Sequence, residues 1–286
     1  MQQIEADAES AMILDPAVLR PKKQESLKPP LKWAGGKRWL VPYMRPYWES
    51  HRHVRYVEPF CGGLAMALGL MPEFALLNDV NTHVINFYKW LQRGLEINIP
   101  MENNETLYYQ HRHRFNMLIS NGEEHSREAA ELFYYLNRTG FNGLCRFNRK
   151  GEFNVPFGRY KTINYERNFL LYQPILQNWQ FSSGDFAAIP LQKGDFVYAD
   201  PPYDVEFVSY SKEGFTWDDQ VRLAKWLSQH DGQVVISNQK TGRIVELYES
   251  YSFFVTEVKA PRRISSNGDR TPADEVLAFK FRPEGK

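Results

Sequence analysis

Short apolar runs recur along this chain, and each of them ends in a polar or glycine-containing turn. The first two are residues 54–57, followed by Glu58-Pro59-Phe60, and residues 75–77, followed by Asn78-Asp79. Runs of this length with a polar end are typical of buried strands that open onto a site. Helical spacing of apolar residues follows each run. Alternation of strand with helix predicts a doubly wound α/β sheet.

The alternation stops near residue 95 and resumes near residue 181. Four further strands are predicted after that point, at residues 196–199, 234–236, 253–258 and 276–281. The middle of the chain is rich in Tyr, His, Arg and Asn, and its pattern predicts one helix (residues 128–136) and a loop or hairpin. We therefore predict a flexible arm (1–29), a discontinuous α/β domain (30–95 and 168–286) and an inserted lobe (96–167).

Composition limits the class of protein. Of the 286 residues, 43% are hydrophobic and 24% are charged, which is ordinary globular usage. Cys61 and Cys145 match no metal-ligand spacing and are too few for a disulfide framework, so we expect packing thiols, a reducing compartment and no metal. No apolar stretch approaches the roughly 20 residues of a membrane span, and no signal peptide is recognisable. We expect a soluble, cytoplasmic protein.

The net charge of +1 conceals an uneven distribution of charge. Eight Lys and Arg lie within residues 20–45 against one acidic residue, and seven lie within residues 138–167 against two. A smaller basic group lies within residues 259–270. One such cluster is commonly just solvated surface, but three clusters interleaved with aromatic residues favour a polyanionic partner.

Asp200-Pro201-Pro202-Tyr203 directly follows the predicted strand at residues 196–199. The exocyclic amine of a base is a poor nucleophile because its lone pair is delocalised into the ring, so its methylation needs acceptors for both N–H bonds. Asp200 and a carbonyl of the rigid proline pair can accept them, and Tyr203 offers a face for an extruded base. Alone, the tetrad favours methylation of an exocyclic or amide nitrogen. A proline-stiffened turn is the structural alternative.

Three further features have the residue types of a cofactor site. The glycines of Glu58-Pro59-Phe60-Cys61-Gly62-Gly63 permit close approach of a ligand to the backbone. Asp79 can accept hydrogen bonds from ribose hydroxyls, or it can cap a helix. In Lys32-Trp33-Ala34-Gly35-Gly36-Lys37, Trp33 could pack on an adenine ring or a sulfonium methyl, and Lys37 could pair with a carboxylate; a core tryptophan beside a turn is the alternative.

Together with Asn142-Gly143-Leu144-Cys145-Arg146 and residues 153–161, these segments make six motifs in order. The set resembles the Dam-type DNA adenine-N6 methyltransferases over residues 31–280. The resemblance implies a Rossmann-like S-adenosylmethionine-dependent methyltransferase sheet with an inserted, mainly helical and hairpin DNA-recognition lobe. It also implies direct SN2 transfer of a methyl group, without a metal, to N6 of a flipped-out adenine in double-stranded DNA.

The resemblance also assigns roles to individual residues. The catalytic set is Asp200, Pro201, Pro202 and Tyr203. The set that holds S-adenosylmethionine is Trp33, Lys37, Phe60, Asp79, Asp185, Phe186 and Asp200. The set that binds DNA is Lys32, Arg138, Asn142, Leu144, Arg146, Pro156, Arg159 and Tyr160, of which all but Lys32 lie in a predicted hairpin region at residues 138–161.

GATC is the DNA sequence that the resemblance implies. Arg146 matches a residue that reads guanine, Leu144 and Pro156 match contacts with a thymine methyl group, and Lys32 matches a contact with the outer guanine. Arginine suits the O6 and N7 atoms of guanine, and apolar groups suit the thymine methyl. The chain departs from the family in its longer arm and in Phe141, where members often carry tyrosine. Residues 263–268 also resemble a family segment near the DNA backbone.

Three alternatives stay open from the sequence. A DNA cytosine-N4 methyltransferase uses the same amine chemistry, but more often has serine where Asp200 stands. A protein-glutamine methyltransferase usually has asparagine there and would leave the basic lobe unexplained. A DNA-binding relative without activity would not need the intact tetrad. We expect a monomeric bacterial or phage enzyme at the nucleoid; the sequence does not identify a cognate restriction endonuclease.

Overall fold

A computed structural model of the protein describes residues 27–204, 214–261 and 273–281. The chain divides into a larger compact unit, residues 23–196, and a smaller one that includes residues 197–286. Within the described ranges there are seven strands and eight α-helices. Two sequence predictions, the arm up to residue 26 and the segment at 263–268, lie outside the described residues.

Three parallel strands form the sheet of the larger unit, in the order β3-β2-β1. They are β1 (Tyr56–Glu58), β2 (Ala75–Asp79) and β3 (Trp179–Ser183). All of β1 and the first four residues of β2 are buried, as expected of parallel strands that are covered on both faces. Because the strands are parallel and in register, with Asp79 opposite Ser183, their polar carboxyl ends meet at one edge.

In its described part, the larger unit contains six α-helices. They are α1 (Val41–Glu49), α2 (Ala65–Leu70), α3 (Thr82–Gln92), α4 (Glu105–Ser120), α5 (Arg127–Thr139) and α6 (Gln173–Leu176). The sequence predicted one helix in the middle of the chain, at residues 128–136, and that prediction was incomplete because α4 lies there too. Only Tyr108, Phe115 and Leu118 of the 16 residues of α4 are buried, so its apolar stripe is too thin to stand out.

The smaller unit contains a mixed sheet in the order β4-β5-β7-β6. Its strands are β4 (Phe196–Ala199), which begins one residue before the unit, β5 (Val234–Gln239), β6 (Phe254–Ala260) and β7 (Ala273–Phe279). β4 and β5 are parallel, and β7 runs antiparallel to both of its neighbours. Helices α7 (Trp217–Ser228) and α8 (Gly242–Ser250) precede β5 and β6.

The predicted fold class, an α/β protein with a Rossmann-like sheet, is confirmed. The strand at residues 196–199 was predicted with the bounds that the structure has, whereas the one predicted at 276–281 is Ala273–Phe279. No described helix is long and apolar enough to cross a membrane. In the same ranges, no three His, Cys, Asp or Glu side chains are grouped so as to hold a metal ion.

Candidate active site

Asp79 ends β2, and backbone groups fix both oxygens of its carboxylate. The N–H of Gly62 donates to Oδ2 and the N–H of Asn81 donates to Oδ1, each at 2.9 Å. Burial raises the pKa of Asp79, and these two hydrogen bonds oppose that rise. The helix-cap alternative for Asp79 is wrong, because the side chain that caps α3 belongs to Asn81. Each carboxylate oxygen has a second lone pair, so Asp79 can still accept hydrogen bonds from a ligand.

Asn78 of β2 is hydrogen-bonded to the turns that follow β1 and β3, and to the end of β3. Its Nδ2 donates to the carbonyl oxygens of Pro59 (3.1 Å) and Gly184 (3.0 Å). Its Oδ1 accepts a hydrogen bond from Ser182 Oγ at 2.9 Å. An amide is needed here, because a carboxylate could accept from Ser182 but could not donate to either carbonyl. Asn78 therefore holds the strand ends at one edge, a role that the sequence did not assign to it.

Trp33 packs directly on the glycine pair that follows β1. A Cβ atom on Gly62 would lie 2.5 Å from Trp33 Nε1, and one on Gly63 would lie 2.7 Å from Trp33 Cβ. Gly62 also has a φ of +43°, which an L side chain rarely adopts. The indole requires both glycines, whereas the sequence assigned them to the approach of a ligand. Trp33 is half-buried, and Lys37 of the same motif is buried, with its Nζ 3.4 Å from Gly35 O.

An aromatic pair lies beyond the ends of β1 and β3. The rings of Phe60 and Phe186 are 5.7 Å apart between their centres and inclined at 46°. Phe186 begins a short 3-10 helix whose N-cap is Asp185, where Asp185 Oδ1 accepts a hydrogen bond from the N–H of Ala187 at 2.9 Å. The Asp185 side chain is otherwise exposed. The larger unit therefore places Asp79 at the end of β2, and Phe60, Asp185 and Phe186 in the segments that follow β1 and β3.

Asp200 immediately follows β4, and a chain of hydroxyl groups reaches it from within the smaller unit. Ser237 of β5 donates from its Oγ to Asp200 Oδ1 at 2.8 Å. The hydroxyl of Tyr198 lies 2.9 Å from the same Oγ atom. Ser237 and Tyr198 are both buried. The Asp200 carboxylate is therefore oriented by a donor that itself has a fixed partner.

A second polar chain holds the proline pair. Gln220 of α7 donates from Nε2 to the carbonyl oxygen of Pro202 at 2.9 Å. Its Oε1 accepts from Asn238 Nδ2 at 3.2 Å, and the same Nδ2 lies 2.9 Å from the hydroxyl of Tyr248. Gln220, Asn238 and Tyr248 are buried. Ser237 and Asn238 are polar residues at the end of an apolar run, which is the same pattern that pointed to Asp79. No role was predicted for either residue.

Tyr203, the last residue of the tetrad, is anchored by its hydroxyl group. It donates to Oε1 of the buried Glu275 of β7 at 2.5 Å. Burial raises the pKa of Tyr203, and the carboxylates of Asp200 and Glu275 raise it further. The phenol is therefore neutral, and its bond to Glu275 fixes the position of the hydroxyl end of the ring.

The hairpin predicted within residues 138–161 is present. Phe147 pairs with Phe153 in antiparallel fashion, and the N–H of Asn154 donates to Arg146 O at 3.1 Å. The Arg146 side chain is exposed, and its Nε donates to Asn154 Oδ1 at 2.8 Å. The guanidinium group is therefore held at the surface of the hairpin in a defined direction.

Lys32 reaches the start of the hairpin region from a distant part of the sequence. Its Nζ donates to Arg138 O at 2.9 Å and lies 3.8 Å from the centre of the Tyr160 ring. Burial, and then the charge of Arg138, lower the pKa of Lys32 to about 8. The side-chain amide of Asn137 makes two hydrogen bonds of 2.8 Å with the backbone of Lys32: its Oδ1 accepts from the N–H, and its Nδ2 donates to the carbonyl oxygen. Three predicted DNA-binding residues therefore lie together, along with Asn137, which the sequence did not single out.

The other predicted DNA-binding residues lie along the two arms of the same region. The N–H of Phe141 donates to Pro156 O at 2.9 Å, which joins the arms. Pro156 and Asn142 are exposed, and Leu144 is half-buried. Arg159 is exposed, and its guanidinium lies 3.5 Å from the carboxylate of Glu105 in α4. Its ion pair is therefore with a residue outside the hairpin region.

Parallel strands with polar side chains at their carboxyl ends define an α/β protein that binds its ligand at that edge. The particular class follows from comparison with known proteins. This chain belongs to the D12 class N6 adenine-specific DNA methyltransferases, a family that matches residues 33–264. It is therefore an adenine-specific DNA methyltransferase, which decides against the cytosine-N4, protein-glutamine and inactive alternatives.

Relatives of this family resemble the chain over most of its length. The Retron Ec67 DNA adenine methylase of Escherichia coli is 35% identical over 262 residues, covering 87% of this chain and 90% of the relative. A type II methyltransferase of Lactococcus lactis subsp. cremoris is 36% identical, covering 91% and 98%. The DNA adenine methylase of Vibrio cholerae is 37% identical, covering 90% and 96%.

Proposed function

We propose that this enzyme transfers the methyl group of S-adenosylmethionine to N6 of the adenine in GATC, with Asp200 accepting a hydrogen bond from the amine. The observation that carries the proposal is the Asp200 carboxylate, placed at the end of β4 and oriented by Ser237. A fixed acceptor needs no reorganisation as charge develops on the reacting nitrogen.

The side chains of the larger unit fit S-adenosylmethionine in chemistry and position. Asp79 offers carboxylate oxygens at the end of β2 for a ribose diol. Phe60 and Phe186 offer aromatic surface for an adenine ring. When bound, S-adenosylmethionine supplies an electrophilic methyl group on a positively charged sulfur. We assign its binding to Trp33, Lys37, Phe60, Asp79, Asp185 and Phe186, and to Asp200 of the smaller unit.

The catalytic tetrad divides the work on the amine between a carboxylate and a carbonyl. Asp200 accepts one N–H and takes the proton after the nitrogen is methylated, when that proton has become acidic. We assign the second N–H to the Pro201 carbonyl, since Gln220 donates to the Pro202 carbonyl and takes up one of the two lone pairs of that oxygen. Tyr203, with its hydroxyl held by Glu275, stacks on the flipped-out base.

We assign recognition of the DNA sequence to the hairpin region and Lys32. Arg146 contacts the O6 and N7 atoms of a guanine, Leu144 and Pro156 contact a thymine methyl, and Lys32 contacts the outer guanine. Arg138, Asn142, Arg159 and Tyr160 complete the DNA surface. We retain residues 96–167 as the recognition lobe, inserted in a catalytic domain of residues 30–95 and 168–286.

The test is transfer of labelled methyl groups to matched duplexes. One duplex contains GATC, and each of the others carries one changed base outside the adenine. We expect rapid labelling of GATC alone, with N6-methyladenine as the product. Labelling of a different sequence would overturn the GATC assignment and leave the chemistry intact. In expressing cells, GATC sites should become resistant to endonucleases that cut only the unmethylated sequence.

A further inference from the structure

Asn81, at the start of α3, contacts both the candidate cofactor site and the DNA-reading region. Its N–H donates to Asp79 Oδ1 at 2.9 Å. Its Oδ1 caps the helix by accepting from the N–H groups of His83 (3.0 Å) and Val84 (3.3 Å). Its Nδ2 donates to Cys145 Sγ at 3.1 Å. An amide side chain can cap a helix with its oxygen and at the same time donate to a neighbour from its nitrogen.

His83, two residues further on, contacts the same region with its ring. It stacks on Phe147 with 4.7 Å between the ring centres and 17° between the planes. The rings of His83 and Phe115 are 5.1 Å apart between their centres and inclined at 63°. Burial lowers the pKa of His83 to about 4, with Glu124 raising it and His125 lowering it by smaller amounts. At neutral pH the ring is therefore uncharged and acts as an aromatic support for Phe147.

The contact of Asn81 with Cys145 and the contact of His83 with Phe147 involve the two residues next to Arg146 in the sequence. Side chains alternate in direction along an extended segment, and here Cys145 and Phe147 face α3 while Arg146 is exposed. The direction of the Arg146 side chain is therefore set by both neighbours. The first turn of α3 therefore supports the backbone segment that carries Arg146, through its contacts with Cys145 and Phe147.

We propose that Asn81 and His83 are positioning residues that link cofactor binding at Asp79 to base reading by Arg146. The inference rests on the proposed roles of Asp79 and Arg146. A ligand that restricts the turn between Asp79 and Asn81 also restricts Cys145, through the Asn81 side chain. DNA that restricts Arg146 restricts the same turn through Cys145. Such coupling is reciprocal, so each ligand raises the affinity for the other by the same factor.

The experiment measures the Kd of S-adenosylhomocysteine with and without saturating GATC duplex. The ratio of the two values is the coupling factor. Asn81→Ser keeps the cap and the backbone donor to Asp79 but removes the donor to Cys145. Cys145→Ala removes the acceptor, and Cys145→Ser restores one. Asn104→Ser is the matched control, because Asn104 caps α4 by accepting from the N–H of Leu107.

We expect duplex to tighten binding to the wild-type enzyme, and the coupling factor to fall by about threefold or more in Asn81→Ser and Cys145→Ala, within the usual range of such couplings. The Kd without DNA should stay within about twofold, since the groups that touch Asp79 remain. Cys145→Ser and the Asn104→Ser control should keep the wild-type factor. His83→Phe, which keeps a stacked ring, should keep it too, whereas His83→Ala should lower it.

A wild-type coupling factor of one would overturn the inference, and so would wild-type factors in both Asn81→Ser and Cys145→Ala. Failure of the proposed function would be seen elsewhere. In that case Asp79→Ala would bind S-adenosylhomocysteine with unchanged affinity, or Arg146→Ala would discriminate between duplexes as the wild type does.

Discussion

The Oγ atom of Ser237 lies 2.8 Å from Oδ1 of Asp200 and donates a hydrogen bond to it. The bond joins the end of β5 to the residue that follows β4, two parallel neighbours in the smaller unit. A serine hydroxyl has one proton to give, and the Tyr198 hydroxyl, 2.9 Å behind, satisfies its acceptor side. The orientation of the Asp200 carboxylate therefore depends on a strand that contributes no residue to the tetrad.

Replacing Ser237 with alanine should lower kcat by about tenfold, because a hydrogen bond to a charged group contributes about 1.5–3 kcal/mol. KM for the duplex should change little, since Ser237 is buried and is not among the residues proposed to read DNA. Steady-state methylation kinetics check this. Ser237→Thr keeps the hydroxyl and should recover activity, and Ser228→Ala, at a half-buried position at the end of α7, should behave as wild type. A Ser237→Ala enzyme with normal kcat would contradict the orienting role.

Replacing Asp200 with alanine should abolish methylation while duplex binding survives. Loss of one fixed acceptor at a reacting centre costs about 100-fold or more in rate. Single-turnover methylation and duplex gel shifts separate the two effects. Asp231→Ala removes an exposed carboxylate of the same unit and should leave both unchanged. Near-normal activity of Asp200→Ala would disprove the mechanism.

Replacing Arg146 with alanine should relax specificity at one guanine. A bidentate contact of arginine with guanine contributes about 1–3 kcal/mol, so discrimination at that base pair should fall by about 10-fold or more. The measurement compares kcat/KM for GATC with kcat/KM for a duplex changed at that guanine. Arg149→Ala, at an exposed position in the turn of the same hairpin, is the control for lost charge. Equal loss of specificity in both variants would argue against base reading.

Binding of DNA should weaken as pH rises through about 8, the pKa that burial imposes on Lys32 in place of 10.5. Below that pH the amine is cationic and attracts DNA, and above it the free enzyme loses the charge. Lys32→Arg stays cationic and should flatten the profile measured by fluorescence anisotropy. Identical profiles in the two proteins would rule out this origin.

The same pKa shift affects stability with the opposite sign. Between about pH 8 and 10.5 the unfolded chain keeps the Lys32 proton that the folded chain has lost. The contribution of Lys32 to the free energy of unfolding therefore rises with pH in this window. A melting curve recorded at each pH distinguishes the two processes.

Local patterns in the sequence were sufficient for six of the seven described strands and for the motifs that follow them. The sequence did not predict β3, of whose five residues only two are buried. The buried run at residues 196–199 predicted β4 with its observed bounds, and Asp79 and Asp200 were located at strand ends for the same reason. A parallel strand is covered on both faces, so its apolar run is unbroken and its polar end is conspicuous. Helix α4 was missed because most of its surface is solvated.

The partners of the site residues were decided by tertiary structure alone. Asn78 lies 106 residues from Gly184, and Ser237 lies 37 residues from Asp200. The order and register of the strands bring such residues together, and no local period in the sequence contains that information. The sequence by itself determined the side-chain types from which the site is proposed, because side-chain type is local. Only the fold decided which donors orient them, because a hydrogen bond joins atoms across about 3 Å of space whatever their separation along the chain.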